Sequence, residues 1–267
     1  MKLFISADIE GACGICDWQE TNIGNHYSDY FLTQMSKEVA AVCRAAQNCG
    51  FDEIVVKDAH DTARNIFPNL LPKGVHIIRG WSEDPLVMMS GLDKSFDAVA
   101  YTGYHSRAGS GDNPLSHTMS TKMQLVKING VTVSEFNINS IIASYYEVPS
   151  VLLTGDKSLC ESAKQIFHNI GTVAVNEGFG GAVKSMQPED AIELIEKTAN
   201  EIFSGEFIKD SVLPMPDSFV AELTYKNHPT AYRKSFYPGA KLTFDPRTIA
   251  FETKDYYELL RFFLFVL

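Results

Sequence analysis

The sequence predicts an α/β protein: a mostly parallel sheet with helices on both faces, followed by a small C-terminal α+β part. Through the first two thirds of the 267-residue chain, short apolar runs alternate with amphipathic helical patterns, as they do in parallel sheets. A proline-rich stretch at 212–218 ends this pattern, and alternating residues beyond it predict antiparallel strands. We therefore divide the chain into an α/β body, residues 1–210, and a C-terminal α+β part, residues 211–267.

The elements can be predicted in chain order from the spacing of apolar residues. The strands of the body are predicted at 2–7, 53–57, 76–78, 97–102, 150–154 and 172–175. The helices of the body are predicted at 31–48, 135–146, 157–168 and 188–204. A hairpin is predicted over 119–133, because Asn129-Gly130 is a strong turn signal. The strands of the C-terminal part are predicted at 219–225, 241–245 and 248–253, before a helix at 255–267.

Charge and composition restrict the partners that we expect. The formal net charge is -10 and there is no basic stretch, which argues against nucleic acid or an anionic membrane as a partner. No apolar stretch reaches the ~18–20 residues of a membrane span, and Asp8 and Glu10 interrupt the first apolar run too early for a signal peptide. Five cysteines, an odd number, favour reduced thiols. We therefore expect a cytoplasmic protein, and we assign no role to the lone C-x-x-C pair, Cys13 and Cys16.

Side chains that can bind metal ions follow several of the predicted strands. They are Asp8, Glu10, His60, His105 and Glu135. Ligands of open α/β sheets bind beyond the carboxyl ends of the strands, so we expect these side chains to converge. Two imidazoles and three carboxylates form an N/O set that suits zinc or a related divalent ion. Five ligands exceed the needs of one tetrahedral zinc, so the sequence predicts a two-metal site in the body.

Four of these residues also have a structural interpretation. Asp8 and Glu10, two apart in a strand, would point to the same side and repel unless a cation or proton lies between them, but they could also cap the next element. His60 could be a loop histidine, and Asp58 could orient its imidazole. Glu135 stands at the head of a predicted helix, where glutamate is often a capping residue.

A sixth residue, His117, follows a glycine-rich loop at 108–114 that could cover a substrate. It could act in catalysis or be structural. The four remaining histidines lack comparable neighbours, and we interpret them as surface or packing residues. These are His26, His76, His168 and His228.

The motifs around these residues, taken together and in order, resemble those of a known enzyme family. They are Asp8-Ile9-Glu10-Gly11, Asp58-Ala59-His60, Gly103-Tyr104-His105-Ser106-Arg107-Ala108, Ser116-His117-Thr118-Met119, and Glu135 with Asn139. Their order and approximate spacing through residues 1–155 are similar to the zinc-dependent D-aminopeptidase family, the DppA-like metallopeptidases. Each motif is short, so the specificity comes from the whole set.

This resemblance implies a metallo-aminopeptidase with two zinc ions per subunit, acting on short peptides with an N-terminal D-residue such as D-Ala. It implies the five residues above as metal ligands and His117 as the catalytic residue. We also expect Arg107 and Asn139, which belong to the matched motifs, to contact substrate. The resemblance implies a homodecamer of two stacked pentamers whose active sites face an inner channel.

Three features depart from the family pattern, and two other functions stay open. The loop between His105 and His117 looks one residue longer, Asn176 stands where relatives often have lysine, and a cysteine pair follows Gly11. A two-metal amidase or phosphoesterase could use the same ligands, although a phosphate clamp would need basic residues and only Arg107 is near. A non-catalytic metal-binding oligomer would have no need for His117.

Overall fold

A computed structural model describes residues 1–205 and 211–267 of the chain, and these form two sheets. The strands are β1 (Lys2–Ala7), β2 (Glu53–Asp58), β3 (Val75–Ile78), β4 (Ala98–Tyr104), β5 (Met123–Ile128), β6 (Val131–Thr132), β7 (Ser150–Asp156), β8 (Gly171–Phe179), β9 (Ala182–Ser185), β10 (Phe219–Tyr225), β11 (Lys241–Leu242) and β12 (Thr248–Thr253). The helices are α1 (Ser28–Asn48), α2 (Glu135–Tyr145), α3 (Lys157–Ile166), α4 (Pro188–Phe203), α5 (His228–Lys234) and α6 (Tyr256–Val266).

The larger sheet has seven strands in the order β3-β2-β1-β4-β7-β8-β9. All neighbouring pairs are parallel except β8 and β9. Helices α1 and α4 pack together on one face, where Val39 and Ile195 join Ile5 in one apolar cluster. Helices α2 and α3 cover the other face, where Phe136 and Leu159 belong to a second cluster. The predicted fold class is therefore confirmed.

The smaller sheet is antiparallel, with the order β11-β12-β10-β5-β6. Strand β10 pairs with β12 on one side and with β5 on the other. The hairpin β5–β6 thus comes from the predicted body, while the other strands come from the C-terminal part. The second apolar cluster continues from the large sheet through β10 to α6. The division at residue 210 stays a prediction, and residues 206–210 lie outside the described part of the chain.

Several elements differ in length from the predicted ones. Helix α1 begins three residues earlier than the predicted 31–48. Strand β8 extends well beyond the predicted 172–175 and turns at Gly180 into β9, which the sequence did not predict. The seven-residue helix α5 was also not predicted, although Asn227 caps it by accepting a hydrogen bond from the Thr230 N–H. A helix this short shows too little apolar periodicity to be recognised.

Two sequence-based expectations about the chain as a whole can be compared with the structure. All five cysteines are free thiols. Among the described residues, none of the helices has the length and apolar character that crossing a membrane requires.

Helix α1 contains a buried carboxyl, that of Glu38. Its Oε1 accepts hydrogen bonds from the Cys13 N–H and from Gln34 Nε2, each at 2.9 Å. Its Oε2 has no partner among the described residues. Burial raises the pKa of Glu38 to about 7, because a low-dielectric interior disfavours the charged form.

Replacing Glu38 with glutamine should make the protein less sensitive to pH. The pKa of Glu38 is higher in the folded chain than in the unfolded one, so folding takes up a proton between these values and stability falls as pH rises through them. Glutamine does not titrate. Glu38→Gln should therefore match the wild type near pH 4.5 and exceed it above pH 7, by about 3 kcal/mol in the free energy of unfolding. Denaturant unfolding of both proteins at the two pH values checks this, and an unchanged difference would contradict it.

Candidate metal centre

The five predicted ligands converge at one edge of the large sheet. Asp8 and Glu10 follow β1, His60 follows β2, and His105 follows β4. Strand β1 lies between β2 and β4, so the carboxyl ends of the three strands are neighbours. Glu135 is the first residue of α2, which packs against β4.

Two glycines allow the segment after β1 to lie directly against the end of β4. The Asp8 N–H donates to Thr102 O and the Gly11 N–H donates to Gly103 O, each at 2.8 Å. A Cβ atom on Gly11 would lie 1.8 Å from Tyr104 O, and one on Gly103 would lie 2.2 Å from Asp8 O. Only glycine fits such close backbone contacts. This contact brings Asp8 and Glu10 to His105.

The donor atoms lie at distances that one or two cations could bridge. His60 Nδ1 is 3.0 Å from Glu10 Oε2 and 3.4 Å from Asp8 Oδ1. His105 Nε2 is 3.4 Å from Asp8 Oδ2 and 3.3 Å from Glu135 Oε2. These contacts define two donor groups, Asp8-Glu10-His60 and Asp8-His105-Glu135, in which the donor atoms lie within 4.8 Å of one another. Asp8 belongs to both and turns one oxygen toward each histidine.

Burial makes this cluster unfavourable without a cation. Each of the five residues is at most 5% exposed. Asp8 Oδ2, Glu10 Oε2, His60 Nε2 and His105 Nε2 are buried and have no hydrogen-bond partner in the described part of the chain. Buried charges need pairing or a metal ion, and the donor set suits zinc. The residues present therefore fit a zinc centre.

The pKa shifts of the cluster have the same physical origin. Burial, and then the charge of Glu10, raise the pKa of Asp8 well above its usual range. Burial alone would lower the pKa of His60 and His105, but the surrounding carboxylates raise it well above its usual range. Without a metal, protons on these imidazoles compensate the carboxylates, and a bound metal ion replaces those protons.

His117 lies beside the two donor groups. Its Nε2 is 3.5 Å from Glu135 Oε1 and 3.9 Å from Glu10 Oε1, and its ring stacks on that of His105 at 4.3 Å. Its Nδ1 lies 2.8 Å from Leu115 O, a contact that fixes the proton on Nδ1 and leaves Nε2 facing the cluster. Because His117 also forms a donor group with Glu10 and His105, its assignment as catalytic residue rather than ligand stays a prediction.

The structure corrects the interpretation of Asp58. Its carboxylate accepts hydrogen bonds from the backbone of Asn65 and Ile66 and from the Asn65 side chain. Asn65 Nδ2 also donates to His60 O. Asp58 therefore shapes the loop that carries His60, and it makes no hydrogen bond to the imidazole.

The two residues that we expected to contact substrate lie outside the cavity at the cluster. Asn139 is buried, and its Nδ2 donates to the Tyr104 hydroxyl at 2.9 Å. Arg107 donates to Ala108 O and lines a separate cavity of about 140 Å³. A substrate-binding role for either residue stays a prediction.

The loop 108–114 and Asn176 also lie away from this cavity. The loop is anchored by buried Asn113, whose Nδ2 donates to Glu10 O at 3.2 Å, and none of its described residues lines the cavity. Asn176 Nδ2 donates to Ala12 O at 2.6 Å and its Oδ1 accepts from the Gly14 N–H. Asn113 and Asn176 therefore both anchor, through hydrogen bonds, the backbone between Glu10 and Gly14. The four histidines interpreted as surface or packing residues are exposed.

The cavity at the cluster has a volume of about 540 Å³, which is typical of small-molecule sites. Asp8, Glu10, His60, His117 and Glu135 line its floor. Its walls include Met119, which belongs to one of the matched motifs, and four residues that the sequence did not single out, namely Trp18, Trp81, Val87 and Met88. These lie in loops and short 3-10 turns, where no periodicity marks them. The one available signal was that the chain has only two tryptophans.

An α/β protein with buried carboxylates and imidazoles at the carboxyl ends of its strands has the architecture of a metal-dependent hydrolase. A family model described as D-aminopeptidase, peptidase family M55, matches residues 1–265. The chain belongs to this family of D-aminopeptidases, and the resemblance indicated by the motifs is confirmed.

Two comparisons with individual proteins agree with this assignment. The chain is 31% identical over 262 residues to the D-aminopeptidase of Bacillus subtilis (strain 168), covering 97% of this chain and 93% of that protein. It is also similar to a solved structure described as the Zn-dependent D-aminopeptidase DppA from Bacillus subtilis, a self-compartmentalizing protease. That similarity has a TM-score of 0.92 at 28% identity and covers 99% of this chain and 96% of the other.

Proposed function

We propose that this chain is a zinc aminopeptidase that removes N-terminal D-residues, such as D-Ala, from short peptides, and that it binds two zinc ions. The observation that carries the proposal is the convergence of five buried N and O ligands around Asp8, with His117 beside them. Membership of the D-aminopeptidase family supports the substrate class. The zinc dependence stated for the Bacillus subtilis relative supports the metal.

In this mechanism, Asp8, Glu10, His60, His105 and Glu135 would hold the metal ions, with Asp8 shared between the two donor groups. Bound zinc supplies a Lewis acid that activates water and polarises the scissile carbonyl. The donor side chains are buried, which strengthens their electrostatic interaction with a bound cation. His117, with its Nδ1 engaged by Leu115 O, would use Nε2 to move a proton to or from the reacting atoms.

The shape and charge of the cavity argue against the two other functions. None of the described residues that line it is Lys or Arg, so a phosphoester would find no basic clamp there. A protein that only stored or bound metal would have no use for a further imidazole that lines an open cavity beside the two donor groups.

The purified protein should contain two divalent ions per chain. The reason is that the two donor groups are complete within one chain and that their buried carboxylates need compensating charge. Elemental analysis measures the ions, and hydrolysis of D-alanine amide measures the activity. A chelator should abolish turnover, and added zinc should restore it. Full activity in a protein stripped of metal would contradict the proposal.

We propose in addition that the chain forms a homo-oligomer, a decamer by the family resemblance, and that it is cytoplasmic. Aromatic side chains remain exposed on the C-terminal part of the isolated chain, and these are Tyr232, Phe236, Phe244 and Phe265. Exposed apolar patches of this kind mark protein contacts. The relative of known structure is described as self-compartmentalizing. The five free cysteines support a reducing compartment.

Light scattering at micromolar concentration should give a mass about ten times that of one chain. The reason is that assembly would remove the exposed aromatic side chains from water. Phe244→Asp, which places a charge on this surface, should lower the mass, whereas Asp217→Asn on the surface ahead of β10 should not. A monomer mass for the wild type would contradict the oligomer.

A further inference from the structure

Both tryptophans of the chain line the cavity at the metal centre. Trp18 is 36% exposed and Trp81 is 37% exposed. Large aromatic side chains contribute most when they are desolvated, so exposed ones in a cavity mark a surface for a ligand. Trp18 lies beside His117, and Trp81 lies beside the loop of His60.

Trp81 is fixed in its position by two contacts. Its Nε1 donates to Asp61 O at 2.7 Å. The ammonium of Lys57 lies 4.3 Å from the centre of the indole ring, and it donates in turn to Asp58 O and Gly80 O at 2.6 and 3.0 Å. Because Asp61 directly follows His60, these contacts hold the indole ring at a defined position relative to the donor groups. A rigid aromatic wall loses little entropy when a ligand packs on it.

Trp18 is fixed in a different way. It begins a 3-10 turn, Trp18–Glu20, that Asp17 caps through the Gln19 N–H. Its ring meets that of His117 edge-on at 5.3 Å. The two tryptophans thus accompany two different histidines of the centre.

The remaining apolar wall carries backbone strain. Val87 has φ 48° and Met119 has φ 60°, in the left-handed region that such residues rarely adopt. Strain of this kind concentrates at ligand sites. The cavity lining also includes polar residues, Asn22, Ser120 and Thr121, but no Lys or Arg among the described residues. A peptide that reaches the donor groups therefore meets no cation that would pair with a carboxylate.

We infer that Trp18, Trp81, Val87 and Met119 form an apolar subsite that binds a bulky apolar side chain next to the scissile bond. The preferred substrates are then D-peptides with a residue such as D-Phe or D-Leu at one of the two positions flanking that bond, in preference to D-Ala alone. This inference rests on the proposed function, because it names the substrates of the same site. Apolar pockets discriminate between side chains by about 10- to 200-fold.

The substrate series that tests this inference varies each position separately. The values of kcat/KM are measured for D-Ala, D-Leu and D-Phe amides, and for D-Ala followed by D-Ala, D-Leu or D-Phe. In at least one series the larger side chain should be preferred by about tenfold or more. Trp81→Ala or Trp18→Ala should reduce this preference about tenfold, and Trp81→Phe should retain most of it. The matched control is Phe179→Ala, an exposed aromatic outside the cavity, which should leave the preference unchanged.

A binding measurement on the wild type needs neither turnover nor a variant. Because both tryptophans line the cavity, intrinsic fluorescence should change on addition of D-phenylalanine, at a concentration about tenfold or more below that needed for D-alanine. Preference for D-Ala in both substrate series would overturn the subsite. So would a fluorescence change that requires the same concentration of D-phenylalanine as of D-alanine. No hydrolysis of any D-substrate, with D-phenylalanine still bound preferentially, would overturn the proposed function and leave the subsite standing.

Discussion

Replacing Asp8 with asparagine should remove both metal ions and reduce D-aminopeptidase activity to background. Asp8 is the residue common to the two donor groups, and each of its oxygens faces a different histidine. An asparagine side chain has nearly the same shape but offers a neutral, weaker ligand. Since enzymes typically accelerate their reactions by about 10⁶-fold or more, the loss should be at least about 10⁴-fold.

Measuring metal content and secondary structure together distinguishes a specific loss of the ions from misfolding of the variant. Circular dichroism should show that Asp8→Asn keeps its secondary structure, while elemental analysis should find both ions missing. His105→Ala should lose the ion of the Asp8-His105-Glu135 group and activity with it. Asp61→Asn is the matched control, because Asp61 lines the same cavity but belongs to neither donor group; it should keep both ions. Retention of two ions by Asp8→Asn would contradict the shared ligand.

Replacing His117 with alanine should have the second largest effect, through kcat and not through metal content. Its Nε2 faces Glu135 and Glu10 at 3.5 and 3.9 Å, longer than the closest contacts of His60. Proton transfer by a positioned histidine contributes about 10²–10⁴-fold, so kcat should fall by that factor while both ions and the fold remain. A loss in kcat with little change in KM identifies an interaction made in the transition state.

Two outcomes would contradict this role for His117. If His117→Ala loses one ion, the residue is a ligand, as its donor group with Glu10 and His105 permits. If it keeps full activity on D-substrates, the residue is structural, holding Trp18 and the backbone near Leu115. The His105→Ala variant serves as the reference for metal loss.

The convergence of the ligands could be predicted from sequence because its determinants are local. Asp8, His60 and His105 each follow an apolar run, and parallel strands place their carboxyl ends at one edge. The same rule did not reveal that β5 pairs with β10, about 95 residues later in the chain, because antiparallel pairing between distant strands leaves no local pattern. The strands of the C-terminal sheet were therefore predicted, but the pairing of β10 with β5 was not.

The cavity walls, and the hydrogen bonds that position the metal-binding side chains, depend on contacts between segments that are distant in the sequence. Contacts with Lys57 and Asp61 hold Trp81 at the cavity. Asn176, in β8, donates a hydrogen bond to the segment after Glu10. Asp58 could have oriented the His60 imidazole, yet its oxygens accept hydrogen bonds from Asn65 and Ile66. Spacing along the chain indicates which residues lie close to His60. The direction in which the Asp58 side chain points depends on how the loop after His60 packs.

The most direct test of the proposed activity compares the hydrolysis of D- and L-aminoacyl amides by the zinc-loaded protein. The kcat/KM for D-alanine amide and its larger D-homologues should exceed that for the L-enantiomers by at least about 10²-fold, because a fixed cavity wall beside the metal centre accepts one arrangement of the side chain at the reacting carbon. Equal rates on both enantiomers, or turnover of L-amides alone, would contradict the assignment of this chain as a zinc-dependent D-aminopeptidase.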